Sequence, residues 1–513
     1  MADQQDTGSE RYVWLRADSQ SSWLWLALGE KLSHELGLRP LLIVSSDQDA
    51  VHFRKSSRAT TLDIVVADDV YAAVIELDAT ALDAADCQRR ARELEVKYGF
   101  GVWRDMILAD RHLGRAFLLG GLGHPESTIS RSGGYLKSLY AGMRSMEFHE
   151  KLLVRYPPAL VVTWGGGGGI YGKPLALLCR KHGLPFRAFN SSRFKNWYYW
   201  AFDEYASSPE LEAAIEKQPF PNPDEINRIQ SEVAPNLLGG KAQVNAYVRT
   251  LSLKNILRNS VRIYLRRMYW QLRGYRKAKI GYRANSVIAS LFRGRRHLRL
   301  LNRLAVMNPK KYAGSSRIVY FPLQVEPESS TIVLAPRAAN QLGLVLELAL
   351  TLPADCRLVV KEHVWQLGRR PDGYYEKIAA MPNVILAHPL ASSLDIIKGA
   401  DLVCAISSSA AYEAAVLGRR VCLLQAASAL RHLPNVLSGS DASVFAELGA
   451  FLNAPPEESV WARHGARYYK GLEAFCVDMG TEPFHLRKAP PTDHEIGILA
   501  SALMRSVRFT ATV

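Results

Sequence analysis

The chain has 513 residues, 48% of them apolar and 22% charged, enough for two domains and a sizeable core. Its net charge of +15 is concentrated: residues 249–311 hold 18 Lys or Arg and no acid, so the rest is nearly neutral. Six scattered cysteines without a C-x-x-C pair argue against a disulfide frame or a zinc site. A polar N-terminus, with no apolar run of about 18 residues anywhere, argues against a signal peptide or a spanning helix and predicts a cytosolic protein.

In chain order, "YVWLRA" (12–17) reads as a strand and "SSWLWLALGEKLSHELG" (21–37) as an amphipathic helix closed by glycine. "RPLLIVSS" and "LDIVVAD" read as strands, and residues 84–156 are mainly helical. "ALVVTW", the run "WGGGGGIYGKP", the helix-like "PLALLCRKHG" and the strand "PFRAFN" then complete a strand–helix–strand unit. By spacing alone, the glycine run fits both G-x-x-x-x-G-K (Gly167, Gly172, Lys173) and G-x-G-x-x-G (Gly167, Gly169, Gly172). It satisfies neither. A Walker loop needs Ser or Thr after its lysine, where this chain has Pro174. A dinucleotide site needs an acid at the end of the next strand, where this chain has Asn190. Pro174 suits the first turn of a helix. The run therefore reads as a permissive loop on the acceptor side. Gly167, Gly168, Gly169 and Lys173 either meet an anion or sugar there or simply allow close backbone packing.

The basic segment contains "LKNILRNSVRIYLRRMYWQLRGYRKAKIGYR", with apolar and aromatic residues alternating with Arg and Lys at helical spacing. Such a helix suits an anionic membrane surface or a lipid-linked substrate. The alternative is a solvated connector. No nucleic-acid-binding module accompanies the charge, so nucleic acid is not an expected partner.

From residue 316 strand and helix alternate strictly, from "SRIVYFPLQ" to "RRVCLLQ". Two such halves predict parallel sheets with helices on both faces, and ligands at the carboxyl ends of the strands. "RLVVKEH" places Lys361, Glu362 and His363 at one such end. "DLVCAISSSAAYEAAVLGRRV" places Ser407, Ser408 and Ser409 at a helix start, with Ser409 as N-cap and Glu413 one turn in, within reach of a ribose. The loop "YFPLQVEPESST" carries Gln324, Glu326 and Glu328 towards the cleft.

In this order and spacing, "YFPLQVEPESST", "LVVKEH", "NVILAHP" and "AISSSAAYEAAVLGRRV" resemble the bacterial capsule polysaccharide biosynthesis proteins, a group similar to capsule Kdo transferases. The resemblance is clear over about 317–425 and fainter in the first half. It implies an α/β, GT-B-like architecture with two Rossmann-like domains facing across a cleft. Residues 1–215 would be the acceptor domain, 216–315 the basic helical, membrane-facing connector, and 316–513 the donor domain. It further implies sugar transfer from a nucleotide-sugar (CMP-Kdo among the candidates) to a lipid-linked surface glycan, without a cofactor or metal, and the basic segment would hold the enzyme at the cytoplasmic face of the inner membrane. His363 would meet the donor phosphate, and Ser408, Ser409 and Glu413 the phosphate and ribose; Lys361, Glu362, Ser407, Gln324 and Glu328 complete the expected donor side. Asp110, beside Arg111 in "LADRHLG", is the candidate carboxylate that activates the acceptor or attacks the sugar. The chain departs from the family pattern at Val364, where the family has proline, and at Ser408-Ser409, where it has Gly-Thr. Two rival readings are a UDP-sugar 2-epimerase and a non-catalytic scaffold of polysaccharide assembly.

Overall fold

The computed structural model describes residues 11–512 apart from 18–21, 57–62, 68, 78–82, 119–122, 133, 166, 237–240 and 481–491; the first ten residues, with most of the polar N-terminus, lie outside it. Short apolar runs bounded by turns form the strands. The first six are Tyr12–Arg16 (β1), Arg39–Val44 (β2), Asp63–Val66 (β3), Pro158–Trp164 (β4), Phe186–Ser191 (β5) and Trp197–Ala201 (β6). Then follow Arg317–Pro322 (β7), Cys356–Lys361 (β8), Val384–Ala387 (β9), Leu402–Ala405 (β10), Arg420–Leu423 (β11), Val436–Ser438 (β12) and Val477–Asp478 (β13).

The strands make two sheets, ordered β13-β6-β5-β4-β1-β2-β3 and β12-β11-β10-β7-β8-β9. The second sheet is parallel throughout, and β7 and β8 pair from Arg317↔Cys356 to Pro322↔Lys361. β1 to β5 pair in parallel in the first. Both follow the Rossmann order, with the chain reversing direction across the sheet between β1 and β4 and between β7 and β10. Strands such as β2, β7 and β10 are almost continuously buried because helices cover both faces. The α/β class with two facing Rossmann-like domains is as the sequence implies.

The domain limit at 513 needs correction. β6 runs antiparallel to β5, and β13 pairs antiparallel with β6, so the chain's end returns to the first sheet. The helix Asp493–Thr512 packs against the helix Ser22–Leu36. Trp200 Nε1 donates to Leu499 O (3.2 Å), and buried Arg187 donates to Ser506 Oγ (2.9 Å) and O (2.6 Å). The physical reason is β6 itself: all five residues of "WYYWA" are buried, and a second layer must cover them.

Pro174 also sits later than expected. Its helix starts at Gly169, so proline falls in the second turn. There its missing N–H leaves the Ile170 carbonyl without the usual partner, and Ser145 Oγ donates to that carbonyl instead (2.6 Å).

Two buried ion pairs set the local geometry. Lys173 meets Glu204 at 2.9 Å with both side chains buried, and Arg180 reaches the same carboxylate at 2.5 Å. Burial works against the Glu204 charge, but the two cations hold its pKa below the usual range. In the second domain, fully buried Arg370 bridges Glu362 (2.8 Å) and Glu326 (2.7 Å) and donates to Gln324 O (2.8 Å). Removing one partner of such a pair leaves an uncompensated buried charge. Arg370→Met should therefore lower the unfolding free energy by about 3–5 kcal/mol in urea titrations. Arg296→Gln, whose partner Asp372 is exposed, should leave the midpoint where it is.

Candidate functional site

Between the carboxyl edges of the two sheets lies a cavity of about 790 Å³. The first domain contributes Asp110, Arg111, His112, Gly165, Gly168, Gly169, Asn190 and Arg193; the second contributes Glu328, Ser329, Tyr412 and Gln425. The glycine loop follows β4 and Glu328 follows β7, both at the points where the strand order reverses. Trp164, Phe189 and Tyr198 form an aromatic wall, with Phe189 and Tyr198 stacked at 4.9 Å.

Asp110 reaches this cavity, but not as a free base. Its Oδ1 accepts from the N–H groups of His112 (2.8 Å) and Leu113 (3.0 Å), and its Oδ2 from Ile170 N–H (3.1 Å) and the Tyr71 hydroxyl. A carboxylate has about four acceptor positions, and four donors fill them. The geometry makes Asp110 the anchor of the glycine loop, in place of the catalytic role expected. It also answers which anion the helix at Gly169 meets. Ile170 N–H points at Asp110, and Gly169 N–H at the Ala109 carbonyl (2.7 Å).

Within the glycine loop the expected roles divide. Gly168 and Gly169 line the cavity, and a Cβ on Gly168 would lie 3.7 Å from Val333 of the other domain. Gly167 (φ +67°) packs backbone to backbone on Gly172, where a Cβ would come within 2.5 Å of the Gly167 carbonyl carbon. Lys173 has no place in an acceptor loop, because its ammonium is held inside by Glu204 and Tyr205.

The donor group expected on the second domain is likewise divided. Side chains alternate along a strand, so Lys361 and Glu362 leave on opposite faces. Glu362 is consumed by Arg370, Tyr375 (3.1 Å) and the His363 N–H (2.6 Å), so it is a scaffold group and not a donor contact. Lys361 turns the other way and donates to Ser393 Oγ (2.9 Å); burial lowers its pKa to about 8. Tyr320 lies beside the same Ser393 and close enough to Glu413 to feel its charge. Glu413 is 4% exposed, its Oε2 has no hydrogen-bond partner, and burial raises its pKa to about 8.

Ser408, not Ser409, is the N-cap, its Oγ accepting from Ala410 N–H (3.3 Å). In the orientation that satisfies both ends of its carboxamide, Gln324 accepts from Ser407 N–H (3.1 Å) and Ser408 N–H (2.7 Å). Ser407 Oγ donates to Ser330 O (2.7 Å). Gln324 and Ser407 thus brace the loop that carries Glu328. His363 accepts from Trp365 N–H through Nδ1 (3.3 Å), which places its proton on Nε2; burial of the ring, with Lys361, Arg370 and Arg369 nearby, lowers its pKa to about 4. The ring keeps an exposed edge but is neutral at neutral pH. His363, Lys361, Ser409 and Glu413 are not among the residues lining the interdomain cavity, so the expected convergence of His363, Ser409 and Glu413 there is not what the structure has.

Sequence reasoning missed Arg193 and passed over Arg111. Arg193 stands just beyond β5 with φ +74°, a left-handed conformation rare for a residue with a side chain. Ser191 Oγ accepts its N–H (3.2 Å), and buried Phe194 pins the turn. Its charge is felt at Glu328 and Tyr412. The available signal was positional: Asn190 and Arg193 end a strand where ligand loops belong. Glu328 is the carboxyl this cavity leaves without a side-chain cap bond. Burial raises its pKa, opposed by Arg111, Arg369 and Arg193.

No protein-family model matches the chain, and neither does any curated protein. Among solved structures it is similar to the β-Kdo 2,7 transferase KpsC of Thermosulfurimonas dismutans, at 14% identity over 54% of this chain and 68% of that one (TM-score 0.27). It is also similar to the UDP-GlcNAc 2-epimerase of Neisseria meningitidis bound to UDP-GlcNAc, at 11% identity over 96% and 100% (TM-score 0.26). A third is the glycotransferase of kitacinnamycin, at 12% identity over 96% and 98% (TM-score 0.26).

Glu413 has a consequence for stability. The folded protein keeps its proton up to about pH 8, whereas an unfolded carboxyl releases it near 4.5. The folded state therefore binds more protons across that window, and stability falls as pH rises through it, by at most about 1.4 kcal/mol per pH unit. Glu413→Gln should flatten the difference in unfolding free energy between pH 5 and pH 8, read by urea titration at each pH.

Proposed function

We propose that this protein is a glycosyltransferase that moves a sugar from a nucleotide-sugar to a hydroxyl in the interdomain cavity. The observation that carries the reading is Glu328, a carboxyl facing Arg111 and Arg193 across a cavity at the carboxyl ends of two Rossmann-like sheets. Ionised Glu328 takes the proton of the acceptor hydroxyl as its oxygen bonds the anomeric carbon. The bond from that carbon to the donor phosphate breaks, and the leaving phosphate carries away the electron pair. Arg111 and Arg193 stabilise the developing charge without having to reorganise. The aromatic wall gives the sugar or base an apolar face. In the second domain, the buried, unpartnered Glu413 carboxyl supports a place for a ribose hydroxyl, with Lys361 on the same face of the sheet. Asp110 acts through the glycine loop, as a positioning residue. The acceptor in this reading is a lipid-linked surface glycan, reached at the cytoplasmic membrane surface, to which the basic segment draws the enzyme. CMP-Kdo is among the donors to test.

The experiment is turnover with CMP-, UDP-, GDP- and CDP-sugars, with and without a glycan acceptor, alongside nucleotide affinity. Glu328→Gln should lower transfer about 10²–10⁴-fold while nucleotide binding is retained. Because the Glu328 pKa is raised, the wild-type rate should fall on the acid side at a pH above the ordinary carboxyl value of 4.5. Arg193→Ala should weaken nucleotide-sugar binding and rate together. Acceptor-independent appearance of an epimerised sugar would replace the transferase with an epimerase, and absence of any nucleotide binding would leave a scaffold.

A further inference from the structure

The helix Leu253–Leu272 leaves most of its apolar residues exposed. Of the 26 large apolar or aromatic side chains exposed among the described residues, eight lie on these 20 residues. Leu253, Leu257, Val261, Leu265, Met268 and Leu272 follow at three- to four-residue spacing, which places them along one side of the helix. Exposure reaches 60% at Leu257, 59% at Val261 and 80% at Leu272. Beside this stripe runs a second, Lys254, Arg258, Arg262 and Arg266, also exposed, with Arg273 at the end. The opposite side, through Ile256, packs the helix against its antiparallel partner Ala284–Leu304, which leaves only Phe292 and Leu304 of its large apolar residues exposed.

We infer that the Leu253–Leu272 helix lies in the interface of an anionic bilayer, its apolar stripe inserted among the acyl chains and its basic stripe on the headgroups. This rests on the reading that the acceptor is presented at a membrane, and it changes the mode of attachment from electrostatic adsorption to insertion. Two observations select a bilayer over a second copy of the chain. The segment from 249 to 311 has no acid to offer the basic stripe of a partner copy, and several of its later cations are already engaged. Arg276 pairs with Asp69 (2.8 Å), Arg283 with Glu126 (3.5 Å), and Arg293 and Arg295 bond backbone carbonyls, so the later half of the segment is connector and the earlier half is free to dock. The attached helix also sits close to the chemistry. Tyr282, at the foot of its partner helix, packs on His112 of the cavity wall, with ring centroids 5.4 Å apart.

The test is co-sedimentation of the full chain with vesicles of phosphatidylcholine and phosphatidylglycerol (7:3) against phosphatidylcholine alone. Insertion predicts preference for the anionic vesicles and measurable retention at about 0.5 M salt, where the Debye length is only a few Å. The triple variant Leu257→Ser, Val261→Ser, Leu265→Ser keeps every charge and should bind about tenfold or more weakly at all salt concentrations. Arg258→Gln, Arg262→Gln, Arg266→Gln should remove the preference for anionic lipid. Wild-type binding by the serine variant would overturn insertion in favour of adsorption. Equal binding to both vesicles would overturn the anionic surface, and no binding to either would overturn the membrane altogether. An oligomer in free solution that the serine variant dissociates would make the face a protein interface. Neither variant touches the cavity, so nucleotide-sugar turnover with a soluble acceptor should match wild type. Loss of turnover in wild type with vesicle binding intact would sink the transferase reading alone.

Discussion

The second domain is organised around one buried cation. Arg370 holds Glu362 at the end of β8, Glu326 in the loop after β7 and the carbonyl of Gln324, with Tyr374 under its guanidinium at 4.8 Å. Burial alone would drive the charge off, but Glu362, Tyr374 and Glu326 hold the Arg370 pKa well above its ordinary value. Gln341 closes the ring by donating to Glu326 (2.5 Å) and Gln324 O (3.1 Å) while accepting Gln324 N–H (2.7 Å). A network in which every buried charge is paired rigidifies what it touches. What it touches is the loop that presents Glu328, and through Gln324 the serine loop after β10.

The same bookkeeping explains which anion sites are open. A helix N-terminus attracts negative charge or an acceptor oxygen, and both candidate helices here already have one. The helix at Gly169 has Asp110, and the loop before the helix at Ser409 has the carboxamide of Gln324. An anion entering the cavity would therefore be met by side chains, Arg111 and Arg193, and not by a helix N-terminus. Glu413 stands apart as a carboxyl that no protein donor satisfies at Oε2. Glu326 and Glu362 are taken up by Arg370, which leaves Glu413 and the cavity-lining Glu328 as carboxyls open to a ligand hydroxyl in the second domain.

The fold was largely legible. Apolar runs at β1, β2, β4, β7, β8 and β10, separated by helical patterns, can only build parallel sheets, and the strand-end rule pointed to the right edge. β6 and β13 were not legible, because a continuous aromatic run such as "WYYWA" carries no direction and a two-residue strand carries no pattern. The site was half legible for a related reason. Sequence shows which polar residues stand near strand ends but not which of them consume one another. Asp110 and Ile170 are 60 residues apart, and Arg370 and Glu326 are 44 apart. Pairing removed Lys173, Glu362 and Asp110 from the reacting groups, and strand alternation separated Lys361 from Glu362. Glu328 remained because no other residue claims it fully, and Arg193, which the sequence reading missed, joins it at the cavity.

The basic hairpin and the buried network are not independent features. The turn that carries Arg370 is gripped from outside by the helix Ala284–Leu304. Arg293 donates to Gly368 O (3.2 Å) and, across the domain boundary, to Gly123 O (2.6 Å). Gly368, at φ +87°, lies against Ser290 and Gly294 so closely that no side chain fits there, and its N–H donates to His297 Nδ1 (3.1 Å). One helix of the hairpin thus touches the backbone of the turn whose side chain positions Glu328, and through Tyr282 it also supports His112 on the other wall. A surface that fixes the hairpin in place therefore fixes both walls of the cavity relative to it. The exposed apolar stripe and the residues that grip the two cavity walls thus lie on different helices of one hairpin, packed together through Ile256, so whatever holds the first helix also holds the second.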